Sequence, residues 1–246
     1  MTTKEQLAIL LENNEGNFIS GSVIARELDI TRAAVWKAIR QLQDEGYDIE
    51  AVNNKGYRLG NLNDVLSVNK IMSYLGEDAC EYQLECHRSI SSTNTYLKQH
   101  EKELPDWYTV ISECQDQGRG RRGRTFYSPA GTGIYMSTLI RLPLSAADAT
   151  HITTAAAVAI CRSIEECTDS EPGIKWVNDV FVNGRKICGI LTEASISMES
   201  QSLDWVVMGI GINVYEPEGG FPEEIKDIAG SIVLEKQKDL RSRLAA

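Results

Sequence analysis

Four arginines and three glycines fall within seven residues of this chain, Gly118-Arg-Gly-Arg-Arg-Gly-Arg124, directly after Glu113-Cys-Gln-Asp-Gln117. Arginine supplies a planar, permanently charged fork that suits phosphate and carboxylate. Glycine lets the backbone reach positive φ and come close to a ligand. Together they make a loop able to close over an anion. Gly118-x-Gly120-x-x-Gly123 also spells the dinucleotide-binding fingerprint. That motif needs a helix right after the glycines and an acid about 20 residues further on. Here Thr125-Phe-Tyr-Ser-Pro129 follows, then the helix breakers Gly131 and Gly133, and the next acid is Asp148. The mismatch argues against a nicotinamide or flavin site. A solvated RNA-binding arginine run belongs in low-complexity flanks, whereas this one sits between two strand-like apolar segments.

Ser89-Ile-Ser-Ser-Thr-Asn94 gathers hydroxyl and amide groups. It reads first as a helix N-cap and second as donors and acceptors for a small neutral polar ligand. The six cysteines, Cys80, Cys86, Cys114, Cys161, Cys167 and Cys188, contain no Cys-x-x-Cys, and there are three histidines. Neither a zinc site nor a disulfide framework is expected, and no protein-held metal is assigned. Most of the thiols read as small buried apolar groups. Cys114 adjoins the arginine loop, but a nucleophilic thiol wants a partner base and none stands nearby in sequence. His151 reads as a surface or satisfied core residue.

Two units must position these residues. In residues 1–60, short helices are expected over 4–12 and 22–28, and Thr31 is a good N-cap for a third over 32–45. There Val35, Ala38, Ile39 and Leu42 recur at helical spacing and form one buried face. Arg32, Trp36, Lys37 and Arg40 fall largely off it. This is the helix-turn-helix pattern, and residues 47–59 around Asn53-Asn54-Lys55-Gly56 add a β-hairpin wing. Ser22, Thr31, Arg32, Ala33, Trp36, Lys37 and Arg40 are the DNA-binding candidates. The competing reading is a helical protein-interaction module, since residues 1–60 carry seven Lys/Arg against nine Asp/Glu. Residues 31–43, however, hold three basic residues and no acid. The modest charge implies two-fold pairing for affinity.

A polar linker over 60–64 leads to the second unit, residues 65–246. Helices are expected over 67–75, 96–102 and 145–167, and strands over 81–87, 107–114, 133–142, 174–177 and 204–213. Val180 to Val182 and Arg185 to Glu193 form a hairpin through Asn183-Gly184, a type I′ signal. Residues 232–244 read as the start of a further helix. The class is α+β: a winged helix-turn-helix followed by a mixed-sheet domain with helices packed on it. At 246 residues, 42% hydrophobic and 24% charged, the chain is ordinary for a globular protein. No apolar run approaches the roughly 18 residues of a membrane span, and the N-terminus lacks a signal-peptide pattern. The expected location is the cytoplasm. A net charge of −10 argues against non-specific nucleic-acid coating, so any DNA contact must be a local basic face.

Taken together, Ser92-Thr93-Asn94, Gln115-x-x-Gly-Arg-Gly-Arg-Arg-Gly-Arg124, Lys175-Trp-Val-Asn-Asp179, Arg185-Lys186-x-x-Gly189-Ile-Leu-x-Glu193 and Gly209-x-Gly211-Ile-Asn213 resemble the bifunctional biotin–protein ligases and biotin-operon repressors of the BirA type. The resemblance covers almost the whole chain. It implies a mixed-sheet domain of the biotin/lipoate-ligase kind. It also implies two half-reactions: biotin and ATP give biotinyl-5′-AMP and pyrophosphate, then a lysine of a biotin carboxyl-carrier domain takes the biotin. In such repressors the adenylate favours homodimerisation and operator DNA binding.

Carried onto this sequence, the resemblance makes Arg119, Arg121 and Lys186 the catalytic cations, holding the carboxylate and α-phosphate as charge builds. Mg2+, expected with ATP, would share that work. Biotin would meet Ser92, Thr93, Asn94, Gln115, Arg119, Gly120, Arg121, Lys186, Gly189, Gly209 and Gly211, the last two letting a strand approach the ligand closely. Nucleotide contacts would come from Arg122, Arg124, Phe126, Lys175, Asn178, Asp179 and Asn213. Phe126 reads as an adenine platform or a core aromatic. Asp179 reads as orienting a cation or the incoming lysine. The arginine loop becomes a lid that keeps water from the anhydride. The family continues into a small SH3-like C-terminal domain, whereas this chain ends at what reads as the helix leading to it. The expectation is a fragment or a chain without that domain, with biotin binding less affected than ATP and acceptor handling. Two other readings stand beside this one: a lipoate–protein ligase, whose pocket would be long and apolar, and a biotin-sensing DNA-binding regulator with impaired catalysis.

Overall fold

The computed structural model describes residues 1–141, 149–196 and 203–246. The first three helices begin where the sequence supplies side-chain caps. Thr2 accepts the amide of Glu5 while the Glu5 carboxylate accepts that of Thr2, a capping box that starts α1 (Thr3–Asn13). Ser20 accepts from Val23 at the head of α2 (Gly21–Glu27), and Thr31 from Ala34 at the head of α3 (Arg32–Asp44). Their apolar faces, with Leu7, Leu11, Ile24, Val35, Ile39 and Leu42 fully buried, close one core. The wing is β1 (Ile49–Val52) paired antiparallel with β2 (Gly56–Leu59). Gly56 has φ 109°, and a Cβ there would lie 2.0 Å from the Ile19 carbonyl oxygen. Only glycine lets the wing seat on the α1–α2 connection.

The second unit has its own core. It comprises α4 (Val68–Leu75), β3 (Gln83–His87), α5 (Thr93–Gln99), β4 (Tyr108–Ser112), β5 (Gly133–Ile140), α6 (Ala149–Cys167), β6 (Gly173–Lys175), β7 (Asp179–Val182), β8 (Arg185–Ile196), β9 (Leu203–Asn213) and α7 (Leu240–Ala245). Among the described residues, seven strands form one mixed sheet in the order β3-β4-β5-β9-β8-β7-β6. Only β3 and β4 run parallel; the other pairs are antiparallel. Strand alternation divides the two faces. Ile134, Ile190 and Ile212 meet α6 through Ala157, Ile160 and Ile164. On the opposite face Leu97 of α5 packs against Val110, Leu139 and Val207. Full burial of a leucine is worth about 1.5–3 kcal/mol, so Leu97 alone fixes α5 firmly on the sheet.

Several expectations shift. Helix α5 starts at Thr93 rather than at 96, because the Ser92 hydroxyl accepts the Thr95 amide and caps it there. The strand expected over 174–177 is Gly173–Lys175. Leu142 of the expected strand 133–142, and residues 145–148 of the expected helix 145–167, lie outside the described residues. No helix spans 232–239: Ile232 and Val233 donate their amides to the carbonyls of Asn213 and Val214, and Asp239 takes φ 52° before α7 begins. Asn183 and Gly184 both have positive φ, as a type I′ turn demands.

The polar 60–64 stretch is not a solvated linker. Asp64 is buried beneath Arg241, whose backbone amide donates to Oδ1 at 2.9 Å and whose Nε donates to Oδ2 at 3.2 Å; Tyr215 donates to Oδ2 at 2.6 Å. The same guanidinium reaches Glu113 at 2.6 Å and the Gly133 carbonyl at 3.3 Å. Arg241 thus ties the segment entering the second unit to the strand end that carries the arginine loop. Lys70 pairs across the two units with Glu15 at 2.5 Å and, within its own unit, with Asp239 at 2.9 Å. Asn69 and Tyr47 donate to the buried Glu12, whose carboxyl burial pushes up.

Candidate functional site

A floor for the site is laid where β5, β9 and β8 lie side by side. One row across the sheet is Tyr135–Gly211–Gly189, and the next is Ser137–Gly209–Leu191. The N-terminal turn of α5 stands over this floor. The cavity is lined by Ser92, Thr93, Asn94, Gln115, Arg119 and Phe126, with Met136, Gly189, Leu191, Gly209, Ile210 and Gly211 beneath. Its free volume is only about 20 Å3, room for a water or two.

The glycines explain why it is so full. A Cβ on Gly209 would lie 2.0 Å from Asn94 Oδ1, and one on Gly211 would lie 2.5 Å from the Phe126 ring. These glycines make room for protein side chains and also line the cavity. Phe126 also lies 3.3 Å from the Cβ position of Gly189 and meets Tyr135 edge-on at 6.3 Å. It is not a buried core aromatic: half-buried, it covers the glycine floor and lines the cavity.

The Ser-Thr-Asn cluster does both things its composition allowed. Ser92 caps α5. Thr93, also buried, has its hydroxyl 2.6 Å from that of Ser137, and its amide donates to Gln115 Oε1 at 2.9 Å. Asn94 donates to Glu193 at 2.9 Å and to the Leu191 carbonyl at 3.2 Å, and its Oδ1 accepts from Ser137 at 2.6 Å. Gln115 donates on to Ser128 at 3.0 Å.

Each of the three cations assigned to the chemistry has a partner inside the protein. Arg119 Nη1 lies 3.5 Å from Glu193 and is nearly half exposed. Arg121 donates to Asn178 Oδ1 at 2.7 Å, and Lys186 pairs with Asp179 at 2.6 Å. Asp179 also accepts from Asn178 at 2.9 Å. Burial works to raise the Glu193 carboxyl, but hydrogen bonds from Lys98 and Asn94 and the charges of Lys98 and Arg119 outweigh it and hold it below the usual range. The Lys186 ammonium lies 3.3 Å from the Cβ position of Gly189, at the cavity edge.

The arginine loop is pinned to itself. Gln115 N donates to Ser128 O at 3.1 Å, Phe126 N to Gly118 O at 2.9 Å and Gly120 N to Arg124 O at 2.7 Å. A one-turn 3-10 segment, Arg121–Gly123, forms its tip, with Arg122 at φ 57°. The dinucleotide helix is absent here. Beside the first cavity a second of about 370 Å3 is bordered by Arg121, Arg122, Asn178, Ile190, Leu191 and Thr192 among others. Leu191 borders both. Other assigned residues lie further off: Arg124 is exposed on the loop, and Lys175 stands over the Phe181 ring at 5.2 Å. Asn213 donates to the Gly230 carbonyl at 3.2 Å and does not line the first cavity. Cys114 hydrogen-bonds the Arg88 carbonyl at 3.3 Å.

The other candidate face lies on the first unit. Ser22, Arg32, Ala33 and Trp36 border a groove of about 570 Å3 that the wing completes through Asn53 and Asn54. Trp36 is 57% exposed with Arg40 over its ring at 5.3 Å, and Lys37 points outward beside them. Thr31 serves as the cap.

Ser137, Lys98 and Ser128 escaped the sequence reading. A Ser137-Thr138 pair in the middle of a largely apolar strand was the available signal for Ser137; nothing in spacing joins Lys98 to Glu193.

The chain matches the Biotin/lipoate A/B protein ligase family over residues 86–213 and an HTH domain over residues 3–58. It is 38% identical over 232 residues to the bifunctional ligase/repressor BirA of Bacillus subtilis (strain 168), covering 94% of this chain and 71% of the relative. To the protein of the same name from Escherichia coli (strain K12) it is 32% identical over 213 residues, 87% of this chain and 64% of that one. In structure it resembles the biotin protein ligase of Aquifex aeolicus in complex with biotin and ATP. The TM-score is 0.53 at 27% identity, covering 66% of this chain and 68% of that one.

Proposed function

This chain belongs to the biotin/lipoate A/B protein ligase family, and we propose how its cavities and its winged helix carry out the two tasks of a bifunctional ligase/repressor. It is an ATP-dependent biotin–protein ligase with a DNA-binding repressor domain. Residues 65–246 carry the catalysis and residues 1–60 the DNA contact. The observation that carries the reading is one juxtaposition: neutral hydrogen-bonding groups of Thr93, Asn94 and Gln115 over the glycine floor, with Arg119 lining the same cavity, Lys186 beside Gly189 and Arg121 on the adjoining cavity. A ureido head suits the first and a carboxylate meeting a phosphate suits the second.

In the first step a carboxylate oxygen of biotin attacks the α-phosphorus of ATP, and the bond to the β,γ-phosphates breaks to release pyrophosphate. Two anions must approach, so the work of the protein is neutralisation. Arg119, Arg121 and Lys186 are held beforehand by Glu193, Asn178 and Asp179, and exchange these partners for substrate oxygens. The nucleotide occupies the larger cavity beside Arg121, Arg122 and Asn178. Mg2+ would arrive on its phosphates and neutralise them, with the Asp179 carboxylate as the protein oxygen at hand. In the second step the amine of a carrier-domain lysine attacks the acyl carbon and AMP leaves. Phe126 and the arginine loop keep water out between steps. Among the described residues no helix is long and apolar enough to cross a membrane, which fits a cytoplasmic enzyme. A homodimer on operator DNA accounts for the modest charge of the winged unit.

Exchange of labelled pyrophosphate into ATP tests the enzyme. Biotin-dependent exchange is the expected result. Exchange with lipoate alone, or biotin binding with no exchange, would replace the reading by a lipoate ligase or a sensor. A DNase footprint that never forms with biotin and ATP present would remove the repressor half.

A further inference from the structure

The polar groups around the cavity form one chain of hydrogen bonds, and the protons in it can run in one direction only. The Glu193 carboxylate, held by Lys98 at 2.7 Å, has no proton to give. It and the Leu191 carbonyl face the same atom of Asn94, at 2.9 and 3.2 Å. Two pure acceptors fix that atom as the amide nitrogen. Asn94 Oδ1 is then turned to Ser137, whose hydroxyl donates to it at 2.6 Å. Ser137 has one proton and has spent it, so the 2.6 Å contact between Ser137 Oγ and Thr93 Oγ1 uses the proton of Thr93. Gln115 Oε1, 3.2 Å from Thr93 Oγ1, is served instead by the Thr93 amide at 2.9 Å. Thr93 therefore turns only lone pairs toward the cavity it lines.

We propose that Glu193 is a specificity-determining positioning residue: by fixing the Asn94 amide it makes Thr93 a pure acceptor, so the cavity selects a ligand head bearing an N–H at that point. The inference rests on the biotin reading of this cavity. A cyclic urea supplies such an N–H; a dithiolane ring does not. Glu193 touches no substrate atom and acts through Asn94, Ser137 and Thr93. A glutamine at 193 would undo the polarity. Lys98 would draw its amide oxygen and turn its NH2 onto Asn94. The Asn94 amide would then face a donor as well as the Leu191 carbonyl and lose its single orientation; in the turned-over form Ser137 donates to Thr93 and the Thr93 proton is free for the cavity.

The test compares binding of biotin with its two cyclic carbamate analogues, in which a ring oxygen replaces one or the other ureido N–H. Titration calorimetry on the full chain reads the affinity gap. For wild type, one carbamate should bind at least about tenfold more weakly than biotin, because a site built for a donor rejects the isostere that lacks it. Glu193→Gln should shrink that gap to within about threefold, the size of a lost preference rather than a lost site. Glu193→Asp, still a pure acceptor, should keep the gap even if all affinities fall. Equal binding of all three ligands to wild type overturns the proposal. So does a wild-type gap in Glu193→Gln, or loss of the gap in Glu193→Asp as well. Should Glu193→Gln not fold, Asn94→Ala, which frees the Ser137 proton for Thr93, should close the gap in its place, and a wild-type gap there overturns the proposal. Failure of wild type to bind biotin at all would instead remove the biotin reading.

Discussion

The amide of Asn94 occupies the space that a side chain on Gly209 would need: its Oδ1 sits 2.0 Å from where the Cβ would be. The two residues lie 115 positions apart in the numbering and are matched as lock and slot. Gly209→Ala should therefore push Asn94 off both Glu193 and Ser137. Overpacking of this kind costs about 1–3 kcal/mol. Denaturant unfolding should show that loss, and biotin KM should rise while ATP KM holds. A variant with unchanged biotin KM would mean the slot is irrelevant to binding.

Arg121 sits at the tip of the loop and donates to Asn178 across the larger cavity. With Arg121→Gly the loop loses that anchor and a cation facing the adenylate. A hydrogen bond to a charged group is worth about 1.5–3 kcal/mol, so the adenylate should dissociate about 10- to 100-fold faster. Stopped-flow release of biotinyl-5′-AMP measures this directly. An unchanged off-rate would take the lid role from this residue.

Lys186 is the cation nearest the Gly189 floor and is held by Asp179. Lys186→Gln should lower single-turnover adenylate formation by about 100- to 1,000-fold, as expected for removing a donor that meets developing charge. Thermal unfolding should shift little, because the pair is partly exposed and such pairs add about 0–1 kcal/mol. Near-normal adenylation would reassign the role.

Lys37 stands on the outer face of α3 beside Trp36 and Arg40. Lys37→Ala should weaken operator binding to all sequences alike and reduce the slope of log K against log salt by about one. Trp36→Ala should leave that slope alone and relax the preference between operator variants. Identical slopes for Lys37→Ala and wild type would argue that this lysine does not meet phosphate.

Glu15 joins the two units through Lys70 and Lys238. Burial works to raise its carboxyl, but the hydrogen bonds and charges of both lysines outweigh it and lower it from the ordinary 4.5. A lowered folded-state value means stabilisation that is complete above the unfolded value and is lost as pH falls through the folded one. Urea unfolding of wild type and Glu15→Gln should therefore differ most at neutral pH, and the difference should shrink as the pH falls below 4.5 and through the lowered folded value. A difference that stays constant through acid titration would show that the contact is not electrostatic.

Sequence alone settled what is local. The caps at Thr31 and in the Ser-Thr-Asn cluster, the type I′ turn at Asn183-Gly184 and the alternation of the strands are decided by neighbours a few residues apart, and each signal is short enough to read along the chain. The arginine loop, too, declared its affinity for anions by composition. What no spacing revealed was who meets whom across the sheet. Register sets Gly209 between Ser137 and Leu191, which brings Asn94 into the gap, and burial of Asp64 turned an apparent linker into the seat of Arg241. These pairings join segments far apart in the chain, and only the closing of the sheet under α5 decides them. The direction of the protons from Glu193 to Thr93 follows from those contacts, since a carboxylate and a carbonyl facing one amide leave it a single orientation.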